Sequence, residues 1–319
     1  MRSNLKILAI SLILLCCIIG AASAADDVSA DIVSDSVDDT VAVDTVPEDT
    51  SMGELNEDIK TDENNRESAV ADSEQNRASS VTVTNWEDLK TACNQTSPQT
   101  IYLSGAINST SQITFNNDAT IIGDSNSYIT GGSSSRMAFV SSGAKSITFQ
   151  NVIFKDMTAS VLIKLATDDG VNRFIDCSFD NINTSAFKSS VIWNDKGYMN
   201  ISGCNFTNTN NGYGVITNYA TSGSVQMNVE NSRFENNTAR FEPGAINNCG
   251  EMNVTNCTFI HNIAKWWAGA IHTHTNAHTI IKDSTFDDNL AGGASASGWN
   301  GGALFSYSTL EVYNSSFTG

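Results

Sequence analysis

Basic residues are scarce: 17 Lys and Arg stand against 35 Asp and Glu in 319 residues, a formal net charge of −18. Binding to phosphate backbones needs clustered Lys and Arg, and no cluster exists, so nucleic-acid partners are excluded. Cysteine is scarce as well. Beyond residue 25 only Cys93, Cys177, Cys204, Cys249 and Cys257 remain, too few for a disulfide scaffold and odd in number. None lies in the C-x-x-C or Cys/His spacing of a zinc site. Residues 26–80 contain no aromatic residue, and 17 acids there meet only Lys60, Arg66 and Arg77. Such a stretch cannot bury enough apolar surface to offset its chain entropy, and it reads as an acidic disordered linker.

The leader is a different kind of segment. Arg2 and Lys6 precede the apolar run Ile7 to Ile19, and Ala22-Ser23-Ala24 follows. Charge, length and small-residue flank identify a secretory signal peptide over 1–25. The run is short of the roughly 20 residues that span a bilayer. The expected location is secreted or cell-surface, with no integral membrane segment once the signal is removed.

Residues 81–319 are dominated by a repeat. Phe154, Phe179, Phe206, Phe234, Phe259, Phe286 and Phe317 are separated by 25, 27, 28, 25, 27 and 31 residues. Five positions before each Phe stands an apolar residue: Phe149, Phe174, Ile201, Val229, Val254, Ile281 and Val312. Three before stand Asn151, Asp176, Gly203, Asn231, Asn256, Asp283 and Asn314, which tolerate the left-handed backbone of a sharp corner. Two before stand small residues, among them Cys177, Cys204 and Cys257. Those thiols read as inward, reduced and packed, with a bridge between Cys177 and Cys204 as the alternative. A polar turn follows each Phe, and a third apolar segment closes the unit, as in Gly244-Ala245-Ile246 and Gly269-Ala270-Ile271.

Three short strands and three bends per repeat describe one turn of a parallel β-helix. The predicted fold is all-β: a single-stranded right-handed parallel β-helix of roughly nine coils. Residues 85–93 read as a short amphipathic capping helix with Trp86, Leu89 and Cys93 on one face. The chain stops at Gly319 inside a repeat, so this reading expects a domain incomplete at its C-terminus and self-association through the open last rung.

Phe-Glu-Asn-Asn (234–237) with Gly244-Ala245-Ile246 resembles the repeat of polymorphic outer-membrane proteins, marked by FxxN and GGA[ILV]. Phe-Ile-His-Asn (259–262) and Phe-Asp-Asp-Asn (286–289) match it equally, whereas Phe154, Phe179 and Phe206 are followed at plus three by Met157, Ile182 and Thr209. Leader, acidic linker and Asn/Ser/Thr-rich coils together resemble adhesin-like proteins of methanogenic archaea. Residues 81–130 are similar to the first coils of the pectin-lyase-like superfamily. The resemblance implies a non-catalytic adhesin-like protein that binds glycans or proteins at the cell envelope. A polysaccharide lyase or glycoside hydrolase on the same scaffold is the alternative, and a passive envelope spacer is the third reading.

Catalytic residues do not emerge, and no cofactor motif does. The segments that would mark a pectate lyase (WIDH-like) or a polygalacturonase (GHG and RxK) are absent. Asp168-Asp169 and Asp287-Asp288 are the only adjacent carboxylates in the coils, both in turn-like contexts. His272, His274 and His278 are the candidate metal ligands, the first two on one side of a strand. No nearby Cys or fixed carboxylate completes that set in sequence, so an exposed polar strand is the simpler expectation. Trp266, Trp267 and Trp299 are candidate ligand contacts, because tandem Trp cannot both point inward and an exposed ring can stack on a sugar face.

Overall fold

The computed structural model describes residues 79–319, except 142–145, 185, 220–223 and 293–300, and not the side chains of Asp168 and Asp169. The signal peptide, most of the acidic linker and Trp299 therefore lie outside the described residues.

The chain winds as a right-handed parallel β-helix with three stacked columns of strands. In the middle column Phe154, Phe179, Phe206, Phe234, Phe259, Phe286 and Phe317 pair in unbroken register, one per turn. Two looser rungs, at Ile107 and Ile129, precede these seven. Stacking of like on like follows from the repeat: neighbouring turns place the same residue at the same point. The rings lie face to face at 4.7–4.9 Å from Phe154 to Phe317. The first column carries the apolar residues five positions earlier, Phe149 through Val312, also in register. The third carries Ile192, Ile216, Ile246, Ile271 and Leu304. All three face one continuous core.

Two corners per turn are left-handed. Asn151, Asp176, Gly203, Asn231, Asn256, Asp283 and Asn314 have φ between 45° and 65°. The position two after the Phe does the same, with Asp156, Asn181, Asn208, Asn236, His261 and Asp288 between 47° and 54°. Asn and Asp tolerate this region because their short polar side chains bond locally.

Buried polar ladders complete the interior. Asn237 donates to Oδ1 of Asn262, and Asn262 to Oδ1 of Asn289, each at 2.9 Å. The plus-three Asn of the FxxN pattern is thus an internal rung-to-rung link. In the earlier turns Met157 and Ile182 fill the same place with apolar bulk. A second ladder runs Asn194, Asn218, Asn248 to Thr279. At the minus-two column Ser232 and Ser284 accept the backbone N–H of Cys204 and Cys257 at 3.1 Å. All five cysteines in the described residues are free thiols, so the bridge between Cys177 and Cys204 does not form. Both are inward-facing and packed, and burial pushes the Cys204 thiol up, which keeps it protonated and inert.

The Gly of the Gly-Ala-Ile segments has a packing reason. A Cβ on Gly269 would collide with the carbonyl oxygen of Gly302, and one on Gly244 with that of Gly269. The first rung is closed by a helix at Trp86–Cys93, whose N-cap Asn85 accepts the N–H of Asp88 at 3.0 Å. Its buried face is Trp86, Leu89, Ala92 and Cys93, with Trp86 edge-on to Phe139. Among the described residues no helix is long and apolar enough to cross a membrane.

Candidate functional site

The third column positions the chemistry. Its middle strand position reads Trp193, Thr217, Asn247, His272 and Phe305 on five successive turns. The flanking residues Ile271 and Thr273 point into the core, so His272 points outward. It is nevertheless fully buried. Loops from three turns fold over it, which corrects the expectation of an exposed polar strand.

Those loops bring a carboxylate. Phe241 and Glu242 follow the short strand Thr238–Ala239, and their N–H groups bond to the carbonyl of Gly212 on the previous turn at 3.0 and 3.4 Å. Pro243 follows, and the Glu242 side chain reaches the next turn, where it meets His272 and His274. Oε2 of Glu242 lies 3.1 Å from Nδ1 of His272 and 3.6 Å from Nε2 of His274. This group was not legible as a set, because Glu242 precedes His272 by 30 residues. That separation is one turn of the solenoid, which makes the two residues neighbours.

His274 sits in a tight turn closed by the Ala277 N–H on its carbonyl at 3.1 Å. Its Nε2 is 2.8 Å from Oδ1 of Asn247. His278 does not join the group. It lies on the first-column strand His278–Lys282, between Glu251 at 3.2 Å and Glu311 at 2.9 Å.

Aromatic rings frame His272. Trp267 stacks on it at 5.3 Å and 12°, Phe305 lies at 5.5 Å, and Tyr307 meets it edge to face at 5.7 Å. Trp267 itself has φ +70°, a conformation that costs a bulky residue about 1–3 kcal/mol. Burial, the larger influence, lowers the His272 pKa against the opposing pull of Glu242, so the imidazole is neutral at neutral pH. Burial would raise Glu242, but hydrogen bonds and charge from the two histidines outweigh it and hold the carboxylate at about 2. Tyr213, Cys249 and Tyr307 share the neighbourhood, and each is raised by burial and by the Glu242 charge, Cys249 to about 12.

The aromatics continue beyond this cluster. Trp266 is 42% exposed and packs near Phe241 at 6.0 Å. Phe241 meets Phe187 at 5.2 Å, and Phe187, 63% exposed, meets Tyr213 at 5.3 Å. Trp193 and the exposed Tyr219 follow at 6.1 Å. The result is a band of rings along five successive turns, roughly 19 Å at the spacing of stacked strands. Sequence reasoning found Trp266 and Trp267 but not Phe187, Tyr219 or Phe241, which sit in loops without a repeated pattern.

Calcium takes about six to eight oxygen ligands. Among the described residues the metal-capable group is Glu242, His272 and His274, which is two-thirds imidazole and does not fit that ion.

No protein-family model matches the sequence, and no curated protein matches it. Among solved structures, the fold is similar to a pectate lyase from Bacillus sp. N165 in complex with trigalacturonate. That likeness has a TM-score of 0.54 and 14% identity, over 76% of this chain and 82% of the other. An alginate lyase from Paenibacillus sp. FPU-7 aligns with a TM-score of 0.36 and 11% identity, over 76% and 99% of the two chains. The first likeness shows that the two chains share a parallel β-helix fold.

Proposed function

We propose that the protein is a secreted or cell-surface, adhesin-like β-helix that holds a polysaccharide along the aromatic band without cleaving it. The observation that carries this reading is the row of partly exposed rings, Trp266, Phe187 and Tyr219, in loops of successive turns. A polymer with its own repeat meets several of them at once. The signal-peptide pattern of residues 1–25, the acidic linker and the Asn/Ser/Thr-rich coils, which together resemble adhesin-like proteins of methanogenic archaea, support the same reading.

A lyase is the second reading. It is favoured by the fold shared with a pectate lyase. One experiment separates the two. The purified chain is passed over a panel of acidic and neutral polysaccharides, with retention and product release followed together. Retention without release, weakened about three- to tenfold by Trp266→Ala and by Phe187→Ala, supports the binding role. Release of oligosaccharide product establishes an enzyme, and neither effect leaves a passive spacer.

A further inference from the structure

We infer that Glu242, His272 and His274 form a binding site for a zinc-class divalent cation, with Oε2, Nδ1 and Nε2 as the ligand atoms. The inference stands apart from the carbohydrate reading and uses none of the exposed rings.

Spacing is the first support. A tetrahedral ion with bonds of about 2.0–2.1 Å separates its ligand atoms by roughly 3.3 Å along each edge. The two edges from Oε2 of Glu242, 3.1 and 3.6 Å, bracket that length. All three ligand atoms lie within 4.8 Å of one another. Two of the three edges thus already have the length an ion requires, and the third is closed by side-chain movement alone.

Chemistry is the second support. Two imidazoles and one carboxylate suit zinc, copper or nickel and not calcium or magnesium. Rigidity is the third. His272 is clamped by Trp267, Phe305 and Tyr307, and Glu242 is pinned through its backbone to Gly212. With a cation on Nδ1, the proton of His272 resides on Nε2. That atom is buried without a hydrogen-bond acceptor, in a ring that meets Tyr307 edge to face.

Binding has three costs: His274 gives up its 2.8 Å contact with Asn247, the Nε2–H of His272 stays buried without an acceptor, and the cation gives up water. Three protein ligands leave a fourth position, on the side where His274 is 31% exposed. An ion there keeps one exchangeable water.

The test uses the full chain, stripped with a chelator and free of any affinity tag. Zn²⁺ is added under equilibrium dialysis, and Co²⁺ is added while the visible spectrum is recorded. The expected result is one ion per chain, with the intense visible bands of tetrahedral cobalt and a rise in melting temperature. Glu242→Gln and His274→Ala, both at partly accessible positions, should each weaken Zn²⁺ binding by about tenfold or more and abolish the cobalt bands. His278→Ala should change neither, because that histidine belongs to a separate pair. Absence of stoichiometric binding by the parent would overturn the inference. So would parent-like affinity in Glu242→Gln or His274→Ala, since the ion would then sit elsewhere.

Discussion

Asn237 and Asn262 stand one turn apart, and Oδ1 of Asn262 accepts both the side-chain amide of Asn237 at 2.9 Å and its backbone N–H at 3.3 Å. Asn262 in turn donates to the carbonyl of Phe234 at 3.0 Å. Both side chains are fully buried. Asn262→Ala therefore strands donors and an acceptor on two turns, and should cost about 2–4 kcal/mol in urea unfolding. Replacing Asn237, Asn262 and Asn289 together with Ile should cost less per site, because the earlier turns carry Met157 and Ile182 there. A triple variant that loses more than three times the single would count against the ladder.

Phe234 lies between Phe206 and Phe259, at 4.8 and 4.9 Å, with no exposure to solvent. Phe234→Ala should lose about 3–5 kcal/mol, as other buried Phe do. Hydrogen exchange should rise most on the strands Asn205–Thr207 and Thr258–Ile260, its neighbours in the stack. Uniform loosening along the whole column would contradict nearest-neighbour stacking.

Gly269 tests the close approach of turns. Ala at this position must push against the carbonyl of Gly302, so Gly269→Ala should destabilise by about 1–3 kcal/mol in spite of the better backbone propensity of Ala. A variant as stable as the parent in thermal melts would show that the turns have room there.

The pair of His278 and Glu311 predicts a pH optimum for the last described turn. Hydrogen bonding to Glu311 raises His278, with Glu251 adding to it, while Tyr313 and His278 lower Glu311, with Lys282 close by. A raised histidine contributes fully below its unfolded value of about 6.5 and loses its contribution as pH climbs through the folded value. A lowered glutamate contributes fully above about 4.3 and loses its contribution as pH falls through the folded value. Amide protection on Thr309–Tyr313 should therefore be greatest between about pH 4.3 and 6.5, and His278→Ala should flatten the alkaline limb. Protection that keeps rising above pH 8 would refute the pairing.

Much of the scaffold was legible because it repeats. The Phe column, its apolar partner five residues earlier and the left-handed corner three residues earlier, Asn or Asp in six copies and Gly in one, recur seven times, and each recurrence places the same physics at the same point of a turn. The helix at 85–93 was legible from its own amphipathic spacing. The site was only half legible. His272 and His274 announce themselves as a strand pair, but nothing in local spacing ties them to Glu242. The link is the turn length itself: in a coil of 25 to 31 residues, a group one interval away is a spatial neighbour. The burial of His272 was hidden for a related reason, since Trp267 and Tyr307, which help cover it, stand outside the strands and follow no common pattern. The left-handed backbone two residues after each Phe was visible only as a polar turn, because the His at 261 gave no conformational hint.

Between the short strand after the Phe, such as Ile263–Ala264 or Leu290–Ala291, and the next third-column strand, the chain changes length freely. Ala264 to Gly269 is a short span, and Ala291 to Gly302 a much longer one. A residue added inside a strand would slip every later pair by one place and turn its side chains over. A residue added in this span displaces only itself. Trp266 and Phe241 stand in these spans, and so does Glu242. The molecule is thus arranged like a comb whose teeth can be exchanged one at a time while the spine keeps its pitch, and its surface chemistry can diverge without endangering the fold.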